Sequence, residues 1–364
     1  VAATVITREH ALAVRLWAQS LDVQALHNTE ADKLVGEGPA SIVRLRDELT
    51  KGAGDRLTIG FRGQLTGDGQ IGNATLEGNE EDLTLYADDV YIDNSRHAVG
   101  IKGVMSQQRT LFDLRKEGKS GLVDHWRRKF DIGLINQLAG NTAQTDRRWT
   151  ANNAVRTPTT RIYANGATSA TSLIDTNFRF SLDMIDKAVY TAETMEVPIR
   201  KADLGGGMEG YCVLIHPAQL LDMRLDMSEG QWNDIQRAAM MGGEISKNPI
   251  FTGAAGYHNN TVIRVDPRVC WGNDTQLNRI HKTSLGAAAA GTTNVARGIF
   301  MGAGAGAIAF GRAGSMEKFR WEEILRDYSD FYGVAAGCVW GASKIQYNGT
   351  DYGVITLESY SPGV

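Results

Sequence analysis

From Asp55 to Val99 the chain reads DRLTIGFRGQLTGDGQIGNATLEGNEEDLTLYADDVYIDNSRHAV. Two strand-like runs enclose a stretch with little to bury. In the first run Leu57, Ile59 and Phe61 alternate with polar neighbours, the period of a half-buried strand. In the second, Leu83 and Leu85 are followed by Val90 and Ile92 with a slip of phase, which predicts a bulge. Between them, from Gly63 to Asn79, glycines stand at 63, 67, 69, 72 and 78 and few apolar side chains could anchor the segment to a core. This pattern predicts a hairpin that projects from the body. The limb is also acidic. Asp55, Asp68, Glu77, Glu80, Glu81, Asp82, Asp88, Asp89 and Asp93 face only Arg56, Arg62 and Arg96, a balance of -6 with no lysine.

Downstream of the limb, Leu111, Leu114, Leu122, Trp126, Phe130, Leu134 and Leu138 recur at helical spacing. They predict a helix over 109–139, about 45 Å long at roughly 1.5 Å per residue. Gly118, Gly121 and Gly133 each cost about 1 kcal/mol relative to Ala in a helix, so kinking or close packing is expected there. The first part of this helix is basic: Arg109, Arg115, Lys116, Lys119, Arg127, Arg128 and Lys129 against Asp113, Glu117 and Asp124, a balance of +4. An acidic limb beside a basic helix suggests pairing between neighbouring subunits, because complementary potentials fix register. Two unrelated solvated faces would give the same pattern.

Upstream, residues 7–35 read as an N-terminal arm, with Thr7 as a cap and Leu12, Val14, Leu16, Trp17 and Leu21 as its apolar side. A short amphipathic stretch (Ile42, Val43, Leu45, Leu49) follows the Gly38–Pro39 break. Beyond the long helix, residues 140–176 read as an irregular connection and Ser181 to Glu193 as a helix. A second α+β lobe is expected from Tyr211: a strand to Ile215, a helix after Pro217, another around Trp232 to Met241, and a strand Thr261 to Val265. Strands near Gly298 to Phe310, Gly333 to Trp340 and Tyr352 to Leu357 would complete a sheet.

Composition narrows the function. The chain has 364 residues, is 42% hydrophobic and 22% charged, and carries 41 glycines, which favours turns and strands over a helical bundle. A net charge of -4 without a basic tract does not advertise nucleic-acid binding. Cys212, Cys270 and Cys338 lack any paired spacing and read as free buried thiols of a protein made in a reducing cytoplasm. No signal peptide or membrane span is visible in Val1 to Trp17.

No catalytic constellation emerges. Gly302, Gly304 and Ala307 match the spacing of a dinucleotide fold with Glu322 beyond, but that motif needs a helix after it, where Ile308, Phe310, Gly311 and Gly314 follow. Gly118, Lys119 and Ser120 imitate the end of a phosphate-binding loop whose first glycine is replaced by Asp113. The seven histidines occur singly, without metal-ligand spacing, and the acids at 80–82 and 88–93 lack a calcium-loop pattern. No cofactor and no metal are expected.

At Leu76 to Val99 the sequence resembles the major capsid proteins of tailed phages related to the coliphage N-four, and the resemblance runs along most of the chain. It continues through Gly54 to Ile59 with Leu65 and Gly67, Val213 to Pro217, Asn248 to Gly253, Gly302 to Arg312 and Trp321 to Tyr332. It implies the Hong Kong 97-type fold, an α+β architecture. Residues 1–50 would be the N-terminal arm, 51–104 the E-loop hairpin, 105–210 the peripheral domain with its spine helix, 211–300 the axial domain, and 301–364 the strands completing both.

The implied function is a non-enzymatic coat protein that assembles through hexamers and pentamers into the icosahedral head of a tailed phage. That head would form in the host bacterial cytoplasm and enclose double-stranded DNA without sequence-specific binding or a membrane. Portal and possible decoration proteins would be further partners, and the arm's shortness implies a separate scaffolding protein unless Val1 is a processing product. In the founding member an E-loop lysine is cross-linked to a neighbour's asparagine. With no lysine from Asp55 to Ile101, a noncovalent or decorated shell is expected instead. Candidate inter-subunit contacts are Asp55, Glu77, Glu80, Glu81, Asp82, Asp88, Asp89 and Asp93 on the limb and Arg115, Lys119, Arg127, Arg128 and Lys129 on the helix. The alternatives are a nucleotide-dependent enzyme using residues 302–307, or a decoration or tail component.

Overall fold

The computed structural model describes residues 33–72, 75–102, 108–109, 114–164, 170–204, 208–226, 256–272, 283, 285, 294–312, 318–328 and 330–361. The expected arm helix, the helix at Trp232 to Met241 and the segment Asn248 to Gly253 lie outside the described residues.

The long helix, α1, spans Leu114–Leu138 and is about 37 Å long at 1.5 Å per residue. Its two halves differ. Up to Arg128 it presents one buried face with Leu122, Val123 and Trp126, while every residue from Lys129 to Leu138 is buried. An all-buried half needs partners for its polar groups, and the connection after it supplies them. Asn136 Nδ2 donates to the Trp149 carbonyl at 3.0 Å, and Gln137 Nε2 donates to Thr150 at 2.7 Å and Asn153 at 3.0 Å. The apparently irregular segment after 140 is thus a wrapping for the helix. At Gly133 an added Cβ would lie 3.1 Å from the Trp340 ring and 3.2 Å from Ala151, so this glycine marks close packing.

The first sheet carries α1. It contains β1 (Val35–Gly36), β2 (Val43–Arg46), β5 (Asp93–Lys102), β12 (Gly306–Phe310), β13 (Phe319–Arg326) and β14 (Phe331–Lys344). Strand β14 organises it: β5 pairs antiparallel from Phe331↔Lys102 to Trp340↔Asp93, while β13 and then β12 occupy its other edge. Trp126, Phe130, Phe310, Phe319, Trp321 and Trp340 fill the space beneath α1, with Phe130 and Trp340 edge to face at 4.5 Å.

The second sheet runs β6 (Arg161–Tyr163), β17 (Val354–Tyr360), β11 (Val295–Met301), β8 (Glu209–Ile215), β10 (Thr261–Val265) and β9 (Gly256–His258), with β7 (Ala202–Asp203) on β8. Helix α2 (Leu182–Thr194) buries Met184, Ile185, Ala188, Val189 and Ala192 against it; α3 (Pro217–Asp226) follows β8. The expected strand Thr261 to Val265 and the helices after Ser181 and Pro217 are present. β6 is an addition within the segment read as irregular.

Strands β3 (Arg56–Arg62) and β4 (Leu85–Tyr91) form a separate antiparallel hairpin, registered from Arg56↔Tyr91 to Arg62↔Leu85. The expected bulge is not there. The β3–β4 ladder runs unbroken through both Leu85 and Val90; the slip arises because Asp88 and Val90 take the buried side while Leu85 faces out, and only beyond it, at Ile92, does the chain pass into β5 of the first sheet. Leu83 and Leu85 are exposed because they belong to the limb, whereas Val90 and Ile92 are buried at its root with Ile59, Ala307, Ala309 and Ile345.

Candidate functional site

The limb is the part of the described chain that leaves the body. Past Gly63, whose N–H donates to the Thr84 carbonyl at 2.7 Å, the ladder ends and nearly every described residue is exposed. Glu81 holds the two sides together. Its carboxylate accepts from the backbone N–H groups of Thr66 at 2.7 Å and Gly67 at 2.8 Å, and these bonds hold its pKa below the usual range. Glu80 accepts from the Gly78 N–H at 2.7 Å. Leu65, Ile71, Leu76, Leu83 and Leu85 all face solvent, Ile71 with 90% exposure. Large apolar side chains gathered in this way on one projecting element are uncommon on the free surface of a soluble subunit.

At the root, the acids turn inward. Asp88 is buried, 2.6 Å from Arg156, and accepts from the Gln346 N–H at 2.9 Å. Asp89 accepts from Thr58 Oγ1 at 2.6 Å and pairs with Arg56 at 3.3 Å. Asn153 brackets Tyr91, accepting from its N–H at 2.9 Å and donating to its carbonyl at 2.8 Å. Asp55, Glu77, Glu80, Glu81, Asp82 and Asp93 remain exposed.

The basic helix is equally divided. Arg115 makes a forked contact with Glu323, 2.7 Å at closest, and Tyr332 and Trp321 also donate to that carboxylate. Burial pushes Glu323 up, but the bonds from Tyr332 and Arg115 outweigh it and leave its pKa below normal. Arg127 lies 3.5 Å from Asp124, Lys119 is half-buried and Arg128 is exposed. Lys129 is buried, which lowers its pKa. The His125 ring stacks on His97 of β5, centroids 4.0 Å apart. Among the described residues no ion pair joins the limb acids to the bases of α1. Glu323, Arg156, Asn153 and the imidazole pair were invisible in sequence, since their partners lie far along the chain.

The dinucleotide-like glycines occupy a strand–turn–strand. β11 ends at Met301, Gly304 takes φ +74 in the turn, and β12 begins at Gly306, so no helix N-terminus is available to hold a pyrophosphate. Gly118, Lys119 and Ser120 lie within α1. Among the described residues no group of three His, Cys, Asp or Glu side chains could hold a metal ion.

A family model described as phage capsid protein matches residues 5–363. The chain belongs to the phage capsid protein family. The capsid protein is 24% identical over 381 residues to the major capsid protein of Pseudomonas phage KPP25, covering 94% of this chain and 93% of that one. Among solved structures it is similar to the capsid of Ralstonia phage GP4, with a TM-score of 0.76, 26% identity and coverage of 100% of this chain and 99% of that one. The capsid of cyanophage Pam1 shares the fold at a TM-score of 0.70 and 17% identity, covering 93% and 94%. The fold is thus the phage-capsid, Hong Kong 97-type architecture that the sequence resemblance implied.

Proposed function

We propose that this capsid protein is the major shell-building subunit of a tailed-phage head, assembling through hexamers and pentamers and performing no chemical reaction. In this reading residues 51–104 act as the E-loop, α1 is the spine of the peripheral domain, and the second sheet is the core of the axial domain. The observation that carries it is the limb itself. Its five outward apolar side chains are each more than half exposed, and among the described residues none of its acids pairs with a base of α1, so their burial is assigned to the next copy. Each limb lies across a neighbour's peripheral domain near its basic helix. Many modest contacts, repeated in closed symmetry, then give a durable shell. A separate scaffolding protein, a portal and packaged double-stranded DNA complete the particle, within a virion.

Negative-stain images of the purified chain, with and without residues 64–83 replaced by a short Gly-Ser link, test this reading. Closed shells or capsomers from the intact chain, and a folded but unassembled product from the shortened one, are expected. A soluble monomer in both cases would defeat it.

A further inference from the structure

At the midpoint of α1 lies a group of cationic and protonatable side chains that, among the described residues, no carboxylate contacts apart from the Arg127–Asp124 pair beside it. Lys129 is only 7% exposed, and its ammonium sits over the Trp126 ring, 5.0 Å from the centroid. Among the described residues it makes neither a hydrogen bond nor an ion pair. Beside it the His97 and His125 rings stack with an interplanar angle of 15°, and Arg128 projects into solvent.

Among the described residues the acids around this group are paired with other cations, and Asp146 acts on Lys129 only at longer range. On α1, Asp124 is engaged by Arg127. On the turn at Arg147–Trp149, Asp146 is taken by Arg148 at 2.7 Å, and Arg147 adds another charge. On β5 the neighbour is Arg96, while Asp93, four residues off, accepts from the Asn94 N–H. β14 contributes Ala336, Gly337 and the buried thiol of Cys338; on β13, Arg320 is matched by Glu322. A buried ammonium without a counter-ion is costly, and a carboxylate brought to it would remove that cost.

We propose that His97, His125, Arg128 and Lys129 form the seat for a carboxylate from the adjacent copy's limb, drawn from the exposed acids at Glu77 to Asp82. The inference rests on the reading of the limb as an inter-subunit element and adds where it lands. The same polypeptide supplies both signs, a limb of balance -6 and this seat, whereas the chain as a whole, at -4, is not built to collect a polyanion. The seat couples the contact to protons. In the free subunit, burial and the neighbouring cations hold His125 down to about 4 and His97 below its ordinary value. A docked carboxylate favours the imidazolium, so the contact takes up protons and tightens as pH falls from 7.5 towards 5.5.

The test is the threshold concentration for assembly of the full chain, followed by light scattering at pH 7.5, 6.5 and 5.5. For the wild type it should fall by about three- to tenfold per pH unit, tenfold being the limit for uptake of one proton. His97→Gln/His125→Gln should flatten this dependence, and Lys129→Met or the surface change Arg128→Glu should raise the threshold throughout. Shells that form with an unaltered pH profile in the histidine variant, and an unaltered threshold in Arg128→Glu, would overturn the seat while leaving the shell-forming reading intact. Failure of the wild type to form shells would instead remove the parent reading, and the seat with it. A duplex DNA fragment is the control: binding abolished by Arg128→Glu with assembly unchanged would assign the cluster to phosphate and refute the proposal.

Discussion

Replacing Arg297 with methionine should be among the most damaging single changes in the capsid protein. Arg297 projects from β11 and is 3% exposed. Its Nη1 donates to the carbonyls of Ala139 at 3.1 Å and Gly140 at 3.0 Å, just beyond the end of α1, and its Nη2 lies 2.9 Å from Glu358 on β17. Glu358 is fully buried; its other cationic neighbour, Arg161, is 3.8 Å away, and Thr171 donates to its second oxygen. Loss of the guanidinium therefore strands a carboxylate and leaves two carbonyls without this donor. Breaking one partner of a buried ion pair costs about 3–5 kcal/mol, to which each carbonyl adds about 1 kcal/mol. A loss of about 5–7 kcal/mol is expected, a large share of the roughly 5–15 kcal/mol that holds a domain together. Arg297→Met/Glu358→Met removes both charges and should recover all but about 1–2 kcal/mol, the part due to the carbonyls. Urea unfolding of the unassembled subunit, followed by tryptophan fluorescence, measures this as a shift in midpoint at constant slope. A single variant that loses less than about 1 kcal/mol, or a double variant as unstable as the single, would refute the reasoning.

Two further outcomes follow from the same geometry. In the unassembled subunit the folded state holds His125 near 4 against an ordinary 6.5, so it binds fewer protons than the unfolded chain between those values. Stability is then full above pH 6.5 and declines as pH falls towards 4, by at most about 3 kcal/mol and about 1–2 kcal/mol after screening of a half-exposed ring; His125→Asn should flatten that slope, and an unchanged slope would contradict the assignment. Gly341→Ala places a Cβ 1.9 Å from the Tyr91 carbonyl oxygen, so the limb's root must shift, at a cost of about 2–3 kcal/mol. Limited proteolysis should show faster cleavage within residues 63–84, and wild-type resistance would show that the root yields without loosening the limb.

The sequence was most informative where pattern and environment agree locally. The alternation at Leu57, Ile59 and Phe61 and the buried run Tyr211 to Ile215 became strands, and the apolar spacing from Leu114 to Leu138 became the long helix, because one face or the whole surface of each is covered. The limb was legible from what it lacks, since a glycine-rich stretch without apolar anchors cannot be held against its own body. Pairings across the chain were not legible. Nothing near Arg115 points to Glu323, 208 residues away, and nothing near Asp88 points to Arg156 or Gln346. The phase slip before Val90 misled because Leu85 and Val90 lie in one continuous ladder, where a polar residue, Asp88, takes the buried side and an apolar one, Leu85, the exposed side. Burial also sorts the charges in a way composition cannot. Asp88, Arg115 and Lys129 count equally with Glu77 or Arg128 in a sum, yet the first three are buried or engaged inside the subunit.

The late position of β17 has a consequence for manufacture. Residues 354–360 lie between β6 and β11, with β11 in turn against β8, so an interior rung of the second sheet is synthesised only after the strands on both its sides. A polypeptide whose synthesis stops before that rung has neither Glu358 for Arg297 nor a cover for Phe300, and it cannot ripen into a building block. Incomplete products are thereby rejected by their own inability to fold, before a growing lattice could be spoiled by them.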